Sequence, residues 1–177
     1  MANIGNIAKV KIAGPQLLTY KGIVLGHTLD GVTFSYERSF ADVYVDQYGE
    51  TSVDKVLTGQ NLQITFQLAE DDYRTWQAAI PETNAIDGSV GDRVDLGADA
   101  GFSMRTESGL LVVHPNRLDP TDKTEDINVY KAVSTENIEV VLKNDEQKVI
   151  EVTMTALVDE SYNSGRRLGH IGPADVS

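Results

Sequence analysis

Residues 42–68 read DVYVDQYGETSVDKVLTGQNLQITFQL. The second half decides the fold. Leu62, Ile64, Phe66 and Leu68 alternate with Gln63, Thr65 and Gln67. Alternation at period two puts every apolar side chain on one face of a strand and leaves the other face neutral and polar. The first half reads as an acidic hairpin. Val43-Tyr44-Val45 leads into a turn region that carries Asp46, Gly49, Glu50 and Asp54. No residue pattern here points to chemistry. The pattern is that of a surface built to pair with other strands.

Working outward, residues 7–12 (IAKVKI) alternate and predict a first strand, stopped by Gly14-Pro15. A β-prone run over 17–26 surrounds Gly22, and Asp30-Gly31 is a hairpin-type turn signal. Val32, Phe34 and Tyr36 then alternate with Thr33, Ser35 and Glu37. Residues 70–80 (EDDYRTWQAAI) predict a helix. Its acidic first turn suits the helix dipole, Tyr73, Trp76 and Ile80 share a face, and Pro81 ends it. Residues 82–109 read as loops around short strands, and 115–126 as a polar excursion. Strands are expected at 110–114, 127–133, 137–143 and 148–158, the last with Ile150, Val152, Met154 and Ala156 on one face. Residues 160–177 lack a period and read as a C-terminal arm. Many short strands, one helix and no βαβ rhythm predict a mainly β chain. The expected form is one domain over 1–177: an antiparallel β-sandwich or barrel with one flanking α-helix, a long hairpin loop and extended termini.

Composition narrows the function. The chain has 177 residues, 41% of them hydrophobic, which is enough for a core. Its formal net charge is −12, which disfavours tight binding to phosphate backbones. It contains no cysteine, so disulfides, thiolate nucleophiles and Cys-ligated zinc are excluded. The N-terminal residues show no secretory signal pattern, and no run reaches the ~20 apolar residues of a membrane helix. Synthesis in a cytoplasm without membrane insertion is the expectation.

Chemistry finds little purchase. His27, His114 and His170 are far apart, without metal-ligand spacing. Asp119, Asp122, Glu125 and Asp126 are interrupted by Lys123 and lack the spacing of a calcium loop. No G-x-S-x-G or phosphate loop is present. The expectation is a protein with no catalytic residue, no cofactor and no metal. Asp42, Asp46, Glu50 and Asp54 recur every four residues, and on a strand Asp42 and Asp46 would share an exposed acidic face.

The run 31–70, GVTFSYERSFADVYVDQYGETSVDKVLTGQNLQITFQLAE, resembles the central segment of major tail tube proteins of long non-contractile-tailed (siphovirus-type) bacteriophages. So do LLVVHP (110–115), VYKAVST (129–135) and VIEVTMTALVD (149–159). The order is a strand, V-D-Q-x-G-x-x-x-V-D, T-G, and an amphipathic strand running into an acidic helix start. The resemblance implies a structural virion protein. It would self-assemble into six-membered rings that stack into the tail tube, the conduit for DNA ejection. Its partners would be further copies of itself, the tape-measure, tail-tip and tail-terminator proteins, and DNA in transit. The resemblance also places the hairpin from Asp42 to Gly59 at inter-subunit or ring-stacking contacts, with Asp42, Tyr44, Asp46, Tyr48, Glu50, Asp54 and Lys55. It places Thr33, Ser35, Glu37, Gln63, Thr65 and Gln67 on the lumen face. A tube protein of a contractile secretion system shares this architecture. A carbohydrate-binding β-sandwich, with Tyr44 and Tyr48 as exposed aromatics, is the reading from a different class.

Overall fold

The computed structural model describes residues 10–88, 91–97 and 100–174. Its main body is an antiparallel sheet of eight strands. In chain order these are β1 (Gln16–Tyr20), β2 (Ile23–Val24), β3 (Thr28–Val43), β4 (Asp54–Leu68), β7 (Gly109–Pro115), β8 (Ile127–Ser134), β9 (Ile150–Ala156) and β10 (Gly169–Ile171). A separate two-stranded sheet pairs β5 (Asn84–Ile86) with β6 (Arg93–Asp95). Helix α1 (Tyr73–Ala79) flanks the body, and α2 (Met104–Glu107) is a single turn.

The spatial order is β2-β1-β7-β8-β9-β4-β3, with β10 added to β8. β8 and β9 share only three rungs, Ala132↔Ala156 to Ser134↔Met154. The strands on either side of this short seam bury their apolar faces in one cluster. Leu18, Leu111, Val113 and Val129 come from one side, and Ile64, Phe66, Val152 and Met154 from the other. The result is a mainly β, sandwich-like body with a flanking helix. The period-two reading holds on both central strands: Leu62, Ile64, Phe66 and Leu68 on β4, and Ile150, Val152, Met154 and Ala156 on β9, are all buried.

Several local expectations need correction. Asp30-Gly31 does not reverse the chain. Both residues have positive φ (58° and 82°), and they bulge out of β3 between the Leu29↔Gln67 and Val32↔Phe66 rungs. A two-residue β2 offers almost no ladder, whereas β4 supplies fourteen rungs to β3, so the strand continues through the bulge. The tight turn lies earlier, at Lys21-Gly22 (φ 50° and 81°), joining β1 to β2. Residues 137–143 form no ladder. Ile138 and Val140 still pack against the core, but Val141 and Leu142 are exposed. Of the expected strand at 7–12, residues 7–9 lie outside the described residues, while Val10 and Ile12 are exposed and belong to no strand.

Helix α1 starts at Asp72, whose carboxylate accepts from the Arg74 amide at 3.2 Å. Its deepest face is Thr75, Ala78 and Ala79 rather than Tyr73, Trp76 and Ile80. Small residues let the helix sit close to the sheet. Trp76 and Ile80 pack at the margin of the core, where the indole N–H donates to Asp71 at 2.8 Å.

The C-terminal segment also differs from an extended arm. Gly169–Ile171 pair with Val129–Ile127. Tyr162 stacks on Tyr130 with ring centroids 3.8 Å apart, and Arg166 Nε donates to the Tyr130 hydroxyl at 2.8 Å. Residues 175–177 lie outside the described residues.

Candidate assembly surfaces

The long hairpin is built by β3 and β4, of 16 and 15 residues. Only its proximal half is backed by the core. β4 pairs with β9 from Gln63 to Leu68, and beyond Leu62 both strands project from the body. β3 ends the sheet, so its outer backbone edge has no strand partner among the described residues. Free subunits with such an edge are prone to strand pairing with other chains.

The two faces of the hairpin differ sharply. One carries Thr33↔Thr65, Ser35↔Gln63, Glu37↔Asn61 and Leu29↔Gln67. Thr33, Ser35, Glu37, Gln63, Thr65 and Gln67 therefore lie together on one sheet face. β9 extends it: Thr65 Oγ1 bonds Thr153 Oγ1 at 3.0 Å, Gln63 Nε2 donates to Thr155 Oγ1 at 3.4 Å, and Gln67 Nε2 donates to Glu151 at 3.2 Å. Glu136 and Glu139 border the same face around a shallow hollow of about 560 Å³. Its charged members Glu37, Glu136, Glu139 and Glu151 are all acidic. From Thr33 to Ser39, Gly59 to Gln67 and Glu151 to Thr155, the register puts no Lys or Arg on it.

The opposite face carries Val32↔Phe66, Phe34↔Ile64 and Tyr36↔Leu62. On β4 these residues are buried, whereas Phe34 and Tyr36 on β3 are 40% and 43% exposed. The register shifts between Ser39↔Gly59 and Phe40↔Leu57, leaving Thr58 unmatched on β4. β3 keeps its alternation through the shift, so Phe40 continues the apolar row, with Arg38 over its ring. This half-covered apolar row was not visible as such in the sequence. The alternation was plain, but nothing local separates a buried Phe from one that overhangs an edge.

The tip spans residues 44–53. Asp42 pairs with Lys55 across a rung, at 2.8 Å, and accepts from Ser52 Oγ at 3.1 Å. The Lys55 ammonium first, and the Ser52 hydroxyl second, hold its carboxyl below the usual range. Asp46 begins a 3-10 turn (Asp46–Tyr48) beyond the end of β3, so it does not share a strand face with Asp42, contrary to the spacing argument. The chain leaves the ladder at Val43 because Tyr48 N–H donates to Val45 and Val53 N–H to Val43, which closes the loop. Asp54 lies on the face opposite Asp42, its carboxylate accepting from the Lys55 amide at 2.7 Å. Tyr44, Tyr48 and Glu50 are exposed, Tyr48 by 66%.

The three histidines have different partners. His27 is exposed beside Glu70. His114 is buried, with Nδ1 2.5 Å from Asp126. His170 contacts the Tyr130 hydroxyl at 2.8 Å, and burial, followed by the Arg166 charge, pulls its pKa down. Asp119 and Asp122 each bond the Thr two residues on, at 2.6 and 2.7 Å, and Asp126 is spent on His114. Among the described residues no three His, Cys, Asp or Glu side chains form a metal-sized group.

No family model matches the chain, and no curated protein matches it. Among solved structures it is similar to one described as "Crystal structure of Hcp protein", with 13% identity and a TM-score of 0.36 over 80% of this chain and 88% of that chain. At that score the likeness carries no weight on function.

Proposed function

We propose that this chain is a non-catalytic structural subunit of a phage tail tube. Copies join into six-membered rings, and rings stack into a hollow conduit for DNA. Subunits are made in the host cytoplasm and reside in the virion tail, where tape-measure, tail-tip and terminator proteins bound the tube.

One observation carries the reading. A sixteen-residue strand has no partner on its outer edge among the described residues, and it combines an overhanging apolar row on one face with a polar, cation-free stretch on the other. A monomer gains nothing from leaving Phe34, Tyr36 and Phe40 half in water. Against a neighbouring copy, each would bury further apolar area at roughly 25 cal/mol per Å². Repeating one such contact around a ring makes modest pair energies cumulative. In the tube, the face with Thr33, Ser35, Glu37, Gln63, Thr65 and Gln67 lines the lumen. A lining without Lys or Arg makes no phosphate contacts that would hold passing DNA.

Negative-stain electron microscopy with light scattering, on the purified protein across concentration, tests the proposal. Six-fold rings or hollow tubes are expected. A strict monomer at every concentration counts against it, and a glycan array then takes up the carbohydrate-binding reading.

A further inference from the structure

We infer that an apolar groove at the root of the hairpin is the seat for the hairpin tip of a second copy of this chain. This rests on the tube reading and names one contact within it. The groove encloses about 630 Å³. Phe34, Tyr36 and Leu62 form one wall, and Leu168 and Ile171 of the C-terminal segment form the other. The chain carries 27 acidic residues, yet among the described residues no carboxylate lines this groove; the full charge they bring to it is Arg167. Arg38 follows Tyr36 on the same face of β3.

The tip is the complementary object. Tyr44 and Tyr48 stand exposed, flanked by Asp46 and Glu50. Its shape is already set by the Tyr48-to-Val45, Thr51-to-Tyr48 and Val53-to-Val43 backbone bonds, at 3.1, 3.2 and 2.9 Å. A preformed knob loses little conformational freedom on docking. The aromatic rings fill the apolar groove, and the tip's carboxylates meet Arg167 and Arg38.

The tip cannot reach its own groove. Tyr44 lies eight residues beyond Tyr36, about 26 Å along a strand. The ladder is paired from Val32↔Phe66 to Val43↔Asp54, so folding back would break it. The occupant is therefore another molecule, and the contact joins two different patches. Made head to tail, as the tube reading requires, such a contact closes into a ring or grows into a filament.

The absence of cysteine makes the test direct. Tyr48→Cys protein and Ser164→Cys protein are mixed under assembly conditions with a short bis-maleimide, and Thr121→Cys replaces Ser164→Cys as the control partner. The expected result is a Tyr48–Ser164 cross-link about tenfold above the control, the yield ratio of a contact worth roughly 1.4 kcal/mol. Rings or tubes without that cross-link overturn the groove contact and leave the tube reading standing. Absence of both particles and cross-link overturns both. A Ser164→Cys homodimer as the main product overturns the proposal in favour of groove-to-groove pairing. In a second arm, Glu50→Arg and Arg167→Glu each raise the assembly concentration about tenfold, and the double variant restores it. Unchanged assembly in both single variants overturns the contact.

Discussion

Phe34 and Ile64 face each other across one rung of the β3–β4 ladder, on the same side of the sheet, yet Ile64 is 0% exposed and Phe34 is 40% exposed. The core ends between them. A sheet one strand wider than its core is what an isolated subunit should avoid and an assembling one can use.

Truncating the two partners should separate folding from assembly. Ile64→Ala should cost about 3 kcal/mol of subunit stability, through lost burial and the cavity left behind. Phe34→Ala should cost about 1 kcal/mol or less in the monomer, because its ring is already half in water. It should nevertheless abolish rings. Urea denaturation and sedimentation velocity on the same two variants read the two effects separately.

The cation-free face should tolerate charge in the fold but not in the conduit. Thr65→Lys places an ammonium beside Thr33 and Thr153, on a surface that is only partly covered. Rings should still form. Assembled particles should then retain duplex DNA in co-sedimentation, with retention falling as salt rises, whereas wild-type particles should not. Equal retention by both would remove the lumen assignment of this face.

Tyr20 gives the body an alkaline limit. Its hydroxyl is within hydrogen-bonding distance of the Glu107 and Ala132 carbonyls, at 2.9 and 3.1 Å. Burial first, and the Glu107 charge second, push its pKa up to about 12. The folded value exceeds the unfolded value near 10, so the unfolded chain loses its proton first as pH rises. The contribution is therefore complete below pH ~10 and disappears between roughly 10 and 12, amounting to at most about 3 kcal/mol. Stability of wild-type protein should fall over that window. In Tyr20→Phe the slope should flatten, at the cost of the one hydrogen bond that the hydroxyl proton supplies to these carbonyls.

Gly169 decides whether the C-terminal segment docks. A Cβ there would sit 2.2 Å from the Asn128 carbonyl oxygen, which is backbone and cannot swing away. Gly169→Ala should detach β10 while leaving the main body folded. Hydrogen exchange should then accelerate at residues 169–171, with β4 and β9 protection unchanged. Because this segment walls the groove, assembly should weaken as well.

What the sequence determined by itself was the period of each strand and the contrast between its faces. Alternation is local, so Ile64, Phe66, Val152 and Met154 could be assigned inward, and Thr33, Ser35, Gln63 and Thr65 together outward, before any fold was known. The hairpin was equally legible, because two long strands flank a Gly-bearing acidic turn. Tertiary structure alone decided how far the core reached. Phe34 and Ile64 belong to the same alternating pattern, and only the number of strands stacked behind each one distinguishes buried from overhanging. It also decided that Asp30-Gly31 would bulge rather than turn, since fourteen rungs with β4 outweigh a local reversal onto a two-residue strand. The aperiodic C-terminal segment became a groove wall for a similar reason. Its anchors, the Tyr130–Tyr162 stack and the Gly169–Asn128 approach, join residues far apart in the chain, and no local pattern encodes such contacts.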